Sequence, residues 1–221
     1  GGGLGAALGD PPPGGAAVAL VVPAFEVREA QGEADQEPAG ASAAQGGEAA
    51  RLPGDFEALE ACGSRATAFH IGHFPAGHRA TDFARWARLA RLPAHVEKPW
   101  AYEVKYEDYF EPYVVLHRAL APQFDERFRG YGLNKCSFLR HLHALDFRFM
   151  VFAQEPHFVA AAEHGKSASW QRLYGPDADP AEAINLSLVW RAFLRGLPGA
   201  AEVPARAPPG RTPLARGGLP G

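Results

Sequence analysis

The segment YFEPYVVLHRALAPQFDERFRGYGLNK, residues 109–135, decides the fold prediction for this chain. It has Glu111 beside a proline near its start, continues as an apolar run over 112–116, and reaches a charged cluster at 124–128. It ends on a glycine-bracketed turn, residues 130–135. A buried strand that delivers polar residues into a glycine-rich turn is a common way for α/β enzymes to place a site. Composition alone favours a plainer interpretation, in which the segment is a surface turn with solvated charges.

The composition of the whole chain indicates one globular domain with tails. The chain has 221 residues, a hydrophobic content of 47% and a net charge of −3. These values suffice for a core, and the lack of a basic stripe disfavours nucleic-acid binding. No apolar run reaches the length of a membrane span, and the N-terminus lacks a signal-peptide pattern. Two cysteines, Cys62 and Cys136, make neither a disulfide scaffold nor a metal cluster, so we expect free thiols.

The segments around 109–135 predict strands alternating with helices. The apolar run over 17–25 predicts a central strand buried on both faces, with Glu26 at its carboxyl end. Glu26 is there either a ligand-binding acid or a solvated loop acid. Further strands are predicted over 68–71, 100–106 and 147–152. Helices are predicted over 55–61, 83–92, 137–145, 166–174 and from Pro180 to Gly196. This alternation indicates an α/β fold with a mixed sheet flanked by helices.

The domain boundaries follow from composition. Residues 1–16 are rich in glycine and proline and are predicted to be disordered, as is the tail over 197–221. The domain itself is predicted over 17–196, with a flexible insertion at 29–54. Its last helix is predicted to be capped by Asp179. The apolar face of that helix is predicted to comprise Ile184, Leu188, Val189, Ala192 and Phe193.

Three histidines, His70, His73 and His78, fall close together in the sequence. Imidazoles bind zinc well, but no H-E-x-x-H pattern is present. All nine histidines lie between residues 70 and 164, so some proximity is expected by chance. The sequence therefore does not favour a dedicated zinc site here.

Several motifs closely resemble glycosyltransferase family 49, which holds the second catalytic domain of LARGE-type xylosyl/glucuronyltransferases and the β-1,4-glucuronyltransferase of dystroglycan glycosylation. They are ALVVPAFE at 19–26, GHRATDFARW at 77–86, FEPYVVLHR at 110–118 and FDERFRGYGLNK at 124–135. Their order and rough spacing also agree with the family. The resemblance covers about residues 17 to 174.

The resemblance implies an incomplete GT-A-like fold and an inverting transfer of a sugar, with UDP-glucuronic acid as the expected UDP-sugar donor and a glycan or glycoprotein as acceptor. It implies a divalent cation, Mn²⁺, on the donor diphosphate, with His164 as a ligand and His157 as the alternative. One carboxylate must take the proton of the acceptor hydroxyl. The candidates are Asp125 and Glu126 first, and Glu111.

The resemblance also implies substrate-binding residues. They are His78, Thr81, Asp82, Tyr131, Gly132, Asn134 and Lys135. The sequence departs from the family at Arg79 and Ala80, which lie between two of these positions. Lys135 or Arg127 could pair with a sugar carboxylate. Asp82 or Thr81 could equally cap the following helix, and Asn134 could cap the helix predicted at 137–145.

One expected motif is missing. The family carries an Asp-x-Asp before the ALVVPAFE strand, whereas this chain has only Asp10 there, and its sole match is Asp177-x-Asp179 at a helix cap. We therefore expect the C-terminal part of a longer catalytic domain that would not transfer sugar by itself. The family implies a type II enzyme of the Golgi lumen. The alternative is a non-catalytic transferase-like module that binds glycan or protein.

Overall fold

The computed structural model describes residues 17–28, 52–72, 74–162 and 165–199. The predicted disordered segment 1–16, nearly all of the insertion at 29–54 and of the tail at 197–221, and two candidate histidines, His73 and His164, lie outside the described residues. Every helix in the described part is too short or too polar to cross a lipid bilayer.

The strands and helices alternate along the described chain. The strands are β1 (Val18–Val22), β2 (Ala24–Val27), β3 (Ala66–Ala68), β4 (Ala101–Val104), β5 (Tyr113–Val115), β6 (Arg148–Phe152) and β7 (Val159–Ala162). The α-helices are α1 (Phe56–Ala61), α2 (Phe83–Ala90), α3 (Asn134–Ala144), α4 (Ala168–Tyr174) and α5 (Pro180–Arg195). Short 3-10 turns lie at Gly63–Arg65, Pro75–Gly77, Arg79–Thr81 and Arg118–Leu120.

The strands form two mixed sheets. The larger has the order β4-β6-β1-β5, in which β1 runs parallel to β6 and antiparallel to β5. The smaller has the order β3-β2-β7, in which β2 runs parallel to β7 and antiparallel to β3. Mixed sheets flanked by helices confirm the predicted α/β class, and they are consistent with a GT-A-like domain.

The run over 17–25 is not one strand, as the sequence predicted, but two. It divides at Pro23, and β1 and β2 belong to different sheets. Proline has no N–H for a sheet ladder, so the pairing changes where it stands. Its carbonyl still accepts a hydrogen bond of 2.8 Å from the N–H of Val159. The burial prediction is confirmed for β1, because Ala19, Leu20 and Val21 are fully buried.

The core has two main parts that meet at α3, and Leu20, Ala101 and Phe152 form a third, smaller cluster. The sheet core packs beneath the larger sheet, and its largest members are Trp86, Tyr102, Phe110, Phe138, Phe147 and Phe149. The helix core gathers Phe74, Tyr109, Phe128, Cys136, Trp190, Phe193 and Leu197. Helix α3 contributes Cys136 to the helix core and Leu139 and Leu142 to the sheet core. One helix therefore couples the two cores.

The predicted apolar face of α5 is partly wrong. Ile184 and Leu188 are 60% and 56% exposed, while Trp190 and Phe193 are buried. Helix α5 carries enough apolar residues for more than one stripe. The stripe that is buried is the one whose aromatic rings meet partners, since Trp190 stacks on Tyr109 with ring centroids 5.6 Å apart.

Two helix starts test the capping predictions. Asp82 and Asp179 cap α2 and α5, with side chains that accept from the N–H groups of Arg85 and Ala181. Asn134, in contrast, is the first residue of α3, and its cap position is taken by Leu133. Leu133 has a left-handed backbone with φ +57°, and the chain turns there into α3. The helix therefore starts at residue 134 instead of the predicted 137.

Candidate functional site

Six polar side chains converge where the smaller sheet meets the loops before β5 and α3. We call them the polar cluster. Its members are Glu26, His70, His78, Glu111, Lys135 and Cys136. Three of them, His78, Glu111 and Lys135, are among the site residues predicted from sequence.

Glu26 and His70 enter the cluster from the smaller sheet. Glu26 lies on β2 opposite Thr67 of β3. The strand predicted over 68–71 is displaced, because β3 runs from Ala66 to Ala68 and His70 takes a left-handed backbone with φ +56°. The Glu26 carboxylate then accepts from the His70 N–H at 3.4 Å, and it lies 3.5 Å from the His70 ring nitrogen Nε2. A non-glycine residue in this conformation is uncommon and is a reason to look for function.

Glu111 enters from the segment before β5 and is buried, with 8% of its surface exposed. Its N–H donates to the carbonyl of Gly77 at 2.8 Å, which holds the two segments together. A Cβ atom at Gly77 would lie 3.0 Å from Cγ of Glu111 and 2.8 Å from a ring carbon of Phe74. Glycine is therefore needed at position 77 for this close approach.

His78 stands beside Glu111 and is almost fully buried. One ligand atom from each of His70, His78 and Glu111 lies within 4.8 Å of the others. The His70 Nδ1 and Glu111 Oε1 atoms are 3.6 Å apart. Burial, reinforced by the Lys135 ammonium, lowers the pKa of His78 to about 3, so its imidazole is neutral at physiological pH. Its Nε2 atom is buried and has no hydrogen-bond partner among the described residues.

Lys135 and Cys136 enter from the first turn of α3. The Lys135 ammonium lies 4.3 Å from the centre of the Tyr113 ring. Burial lowers the pKa of Lys135, and the negative charge of Glu111 opposes that shift. The Cys136 sulfur lies 3.4 Å from Oε2 of Glu111. Neither cysteine forms a disulfide, as the sequence predicted.

The predicted acidic pair Asp125 and Glu126 lies in an irregular segment outside the polar cluster. The Asp125 carboxylate is bound by Arg127, whose Nε lies 2.9 Å from Oδ1. This hydrogen bond is the main reason that the pKa of Asp125 is lowered. Glu126 is exposed.

Thr81 and Asp82 have structural contacts of their own. Both backbone carbonyls accept from the Tyr102 hydroxyl, at 2.9 Å and 3.1 Å. The Thr81 residue is buried, and the Asp82 carboxylate accepts from the N–H of Arg85 at 3.0 Å. The structure thus gives these two residues roles in holding α2, and their predicted substrate contacts stay predictions.

Tyr131 lies outside the polar cluster and lines a cavity of about 410 Å³ beside α4 and α5. Three arginines line it with Tyr131: Arg127, Arg129 and Arg172. Gly132 follows with φ +105°, and its close neighbours are side-chain carbons of Leu173 and Leu186. Asn134 accepts from the N–H of Lys135 at 2.9 Å. The predicted substrate-binding residues therefore divide between the polar cluster, the α2 start and this cavity, while Gly132 and Asn134 lie in the segment between Tyr131 and Lys135.

Sequence reasoning weighed Glu26 without choosing it, did not choose His70, and treated Cys136 only as a free thiol. The signal that would have found Glu26 and His70 is the pairing of β2 with β3, which brings the loop after β3 beside Glu26 and which no local pattern reveals. Asp179, the second residue of the only Asp-x-Asp match, is engaged as a helix cap by the N–H of Ala181 at 2.9 Å. Within the described residues, the group with the geometry to hold a cation is His70, His78 and Glu111.

Comparison with known proteins agrees with the motifs. A family model described as glycosyl-transferase for dystroglycan matches residues 12–160. The xylosyl- and glucuronyltransferase LARGE2s of Gallus gallus is 39% identical over 83 residues, which are 38% of this chain and 10% of the relative. The LARGE1 protein of Danio rerio is 41% identical over 75 residues, 34% of this chain and 9% of the relative. LARGE2 of Homo sapiens is 36% identical over 105 residues, 48% of this chain and 13% of the relative. The chain thus spans about a tenth of the length of the curated relatives that it matches.

Proposed function

The chain belongs to the family of glycosyl-transferases for dystroglycan, and we propose that it contributes to the transfer of a sugar from a nucleotide-sugar donor to a glycan acceptor. The observation that carries the proposal is the extent of the family match. Residues 12–160 contain every member of the polar cluster. The match therefore covers the whole polar cluster and β2, the strand that carries Glu26.

UDP-glucuronic acid is the proposed donor, and the product is a β-linked glucuronide formed with inversion. Two findings support this choice. The matched relatives are named xylosyl- and glucuronyltransferases. Lys135, a member of the polar cluster, also places its ammonium group beside the Tyr113 ring, and this group can pair with a sugar carboxylate.

Glu126 is the proposed general base, because the other two predicted acids are engaged. Asp125 is held by Arg127, and its lowered pKa makes it a weaker base. Glu111 is enclosed by His70, Gly77 and Cys136. In the proposed step, Glu126 takes the proton of the acceptor hydroxyl. The hydroxyl oxygen bonds to the anomeric carbon of the donor sugar as the bond from that carbon to the nucleotide diphosphate breaks.

A divalent cation on the donor diphosphate supplies charge neutralisation in this kind of transfer, and Mn²⁺ with His164 as a ligand is the proposed one. Mn²⁺ prefers carboxylate, carbonyl and water oxygens. The candidate cation group in the described residues offers two imidazoles and one carboxylate, so it does not fit that preference. The steps assigned to this chain are therefore donor binding by Lys135 and proton removal by Glu126.

Calorimetry with UDP-glucuronic acid, with and without Mn²⁺, tests the donor proposal on the 221-residue chain. We expect binding, with or without Mn²⁺, that weakens at least about tenfold in Lys135→Met, since a charge-assisted contact is worth roughly 1.5–3 kcal/mol. Arg148→Met is the matched control, because Arg148 pairs with Glu103 on the exposed side of the larger sheet. Unchanged binding in Lys135→Met would contradict the role of Lys135.

Glu126→Gln tests the base in any longer protein that contains this chain and transfers sugar. We expect transfer to fall roughly 10²–10⁴-fold with donor binding unchanged, because only the proton acceptor is removed. Asp125→Asn is the comparison variant and should keep transfer within a few-fold. Loss in Asp125→Asn or in Glu111→Gln, but not in Glu126→Gln, would move the base to that residue.

Two further proposals depend on this function. The Golgi lumen is the proposed location, which immunofluorescence of the endogenous protein against a Golgi marker tests. The second candidate function is a non-catalytic module that binds glycan or protein. Glycan binding without any donor binding, in the calorimetry above, would favour the module over the transferase.

A further inference from the structure

We infer that His70, His78 and Glu111 form a binding site for a zinc-type divalent cation, separate from any cation carried by a sugar-nucleotide donor. The three residues come from three different segments: His70 from the loop after β3, His78 from just after the turn at Pro75–Gly77, and Glu111 from the segment before β5. A cation would therefore tie two neighbouring turns to a segment 33 residues further along the chain, 78 to 111. The inference goes beyond the proposed transferase function and does not require it.

The distances suit a small cation. Tetrahedral zinc, with bonds of roughly 2.0–2.1 Å, places its ligand atoms about 3.4 Å apart. The His70 Nδ1 and Glu111 Oε1 atoms are already 3.6 Å apart, and the ligand atoms of all three residues lie within 4.8 Å of one another. Small side-chain rotations close the remaining gap. Two imidazoles and one carboxylate make a three-ligand zinc set that leaves a fourth position for water.

Neighbouring side chains contact the proposed ligands in the way that hydrogen-bond partners orient the ligands of known zinc sites. A ligating histidine usually gives its other ring nitrogen to a carboxylate, which fixes the ring. The other ring nitrogen of His70, Nε2, lies 3.5 Å from the Glu26 carboxylate. The other carboxylate oxygen of Glu111, Oε2, lies 3.4 Å from the Cys136 sulfur. Each of these two ligands therefore has a neighbour on the side away from the proposed ion.

His78 supplies an independent observation. Its Nε2 atom is buried and lacks a hydrogen-bond partner among the described residues. Buried polar atoms without a partner are rare and call for an explanation such as an ion. The side chain is also 1% exposed, so bulk water does not satisfy this nitrogen. A bound cation satisfies it directly.

Two features compete with a cation and shape the test. Lys135 carries a positive charge close to Glu111 and His78, which weakens cation binding by repulsion. His70 also lies between two carboxylates, which give its ring partners without a metal. Removing Lys135 should strengthen a metal site, whereas a cluster held by its own polar contacts predicts no metal uptake at all.

The experiment is titration of the purified 221-residue chain with Zn²⁺, free of sugar nucleotide, by calorimetry and by metal analysis after dialysis. We expect about one Zn²⁺ per chain, with loss of binding in His78→Asn and in Glu111→Gln. Glu26→Gln should weaken Zn²⁺ binding roughly 10–100-fold, because removing a group that hydrogen-bonds to a ligating histidine has an effect of this size at other metal sites. Lys135→Met should bind Zn²⁺ at least as tightly as the native chain.

His95→Asn is the matched control, because His95 is an exposed histidine between α2 and β4, outside the cluster. It should bind Zn²⁺ like the native chain. Co²⁺ added to the native chain gives a readout that no folding defect in a variant can imitate, since tetrahedral Co²⁺ absorbs much more strongly in the visible range than octahedral Co²⁺. Absence of Zn²⁺ uptake by the native chain, or native-like uptake by folded His78→Asn and Glu111→Gln, would overturn the inference. Because no donor is present, neither result depends on the transferase proposal.

Discussion

At the scale of single residues, Tyr102 links the larger sheet to the start of α2. Its ring is buried in the sheet core, and its hydroxyl donates to the carbonyls of Thr81 and Asp82. Arg85 lies over the same ring, with its guanidinium carbon 4.3 Å from the ring centre. Both carbonyls belong to the turn that ends in the left-handed Asp82 cap. The Tyr102 hydroxyl therefore helps to hold Thr81 and Asp82, two predicted substrate-binding residues, in place before α2.

Tyr102→Phe should lower the free energy of unfolding by about 1 kcal/mol, because it leaves buried carbonyls without their donor. Urea denaturation followed by circular dichroism measures the change. Tyr113→Phe is the matched control, since Tyr113 is exposed, and removal of its hydroxyl should be close to neutral. Equal losses in the two variants would show that the Tyr102 hydrogen bonds contribute nothing specific.

At the scale of elements, α5 shows how tertiary partners select one face of a helix. Its cap was predictable, because Asp179 followed by Pro180 is a strong start signal, and the structure confirms it. Its buried face was not, because apolar residues occur around much of the helix. Trp190 and Phe193 are buried against Phe128, whose ring centre is 5.5 Å from that of Phe193.

Trp190→Ala should therefore lower the free energy of unfolding by about 3–5 kcal/mol, the usual range for removing a buried aromatic ring. Leu188→Ala, on the exposed side of the same helix, should change it by less than about 0.5 kcal/mol. Thermal and urea unfolding of the two variants provide the comparison. A large loss in Leu188→Ala would mean that the exposed stripe is covered in solution.

At the scale of the whole molecule, α3 joins the two cores. Cys136 packs in the helix core, while Phe138, Leu139 and Leu142 pack in the sheet core. The first turn of the same helix contains Lys135 and Cys136, so it also carries two members of the polar cluster. The cluster therefore depends on both cores being formed together.

Leu139→Ala tests this coupling. Leu139 is 1% exposed, and its truncation should lower the free energy of unfolding by about 2–5 kcal/mol. Because α3 serves both cores, tryptophan fluorescence and far-ultraviolet circular dichroism should shift to the same lower midpoint. Two separate transitions in the variant would show instead that the helix core and the sheet core unfold independently.

Local physical chemistry already determined much of this protein. The β1 run of apolar residues could only be stable when buried on both faces, and the caps at Asp82 and Asp179 follow from side-chain oxygens placed before helical runs. The family motifs, which the matched family model confirms over residues 12–160, also lie in the sequence itself. These features depend on neighbours along the chain, and such neighbours are known before folding.

Only the tertiary structure decided which polar groups meet. The change of sheet at Pro23, the left-handed turn at His70 and the close approach that Gly77 permits bring Glu26, His70 and Glu111 together from segments up to 85 residues apart in number, 26 to 111. Of the two acids predicted beside the glycine-rich turn, Asp125 is bound instead by Arg127, whose Nε lies 2.9 Å from Oδ1. Distances across a fold depend on strand pairing and side-chain packing, which no local pattern encodes.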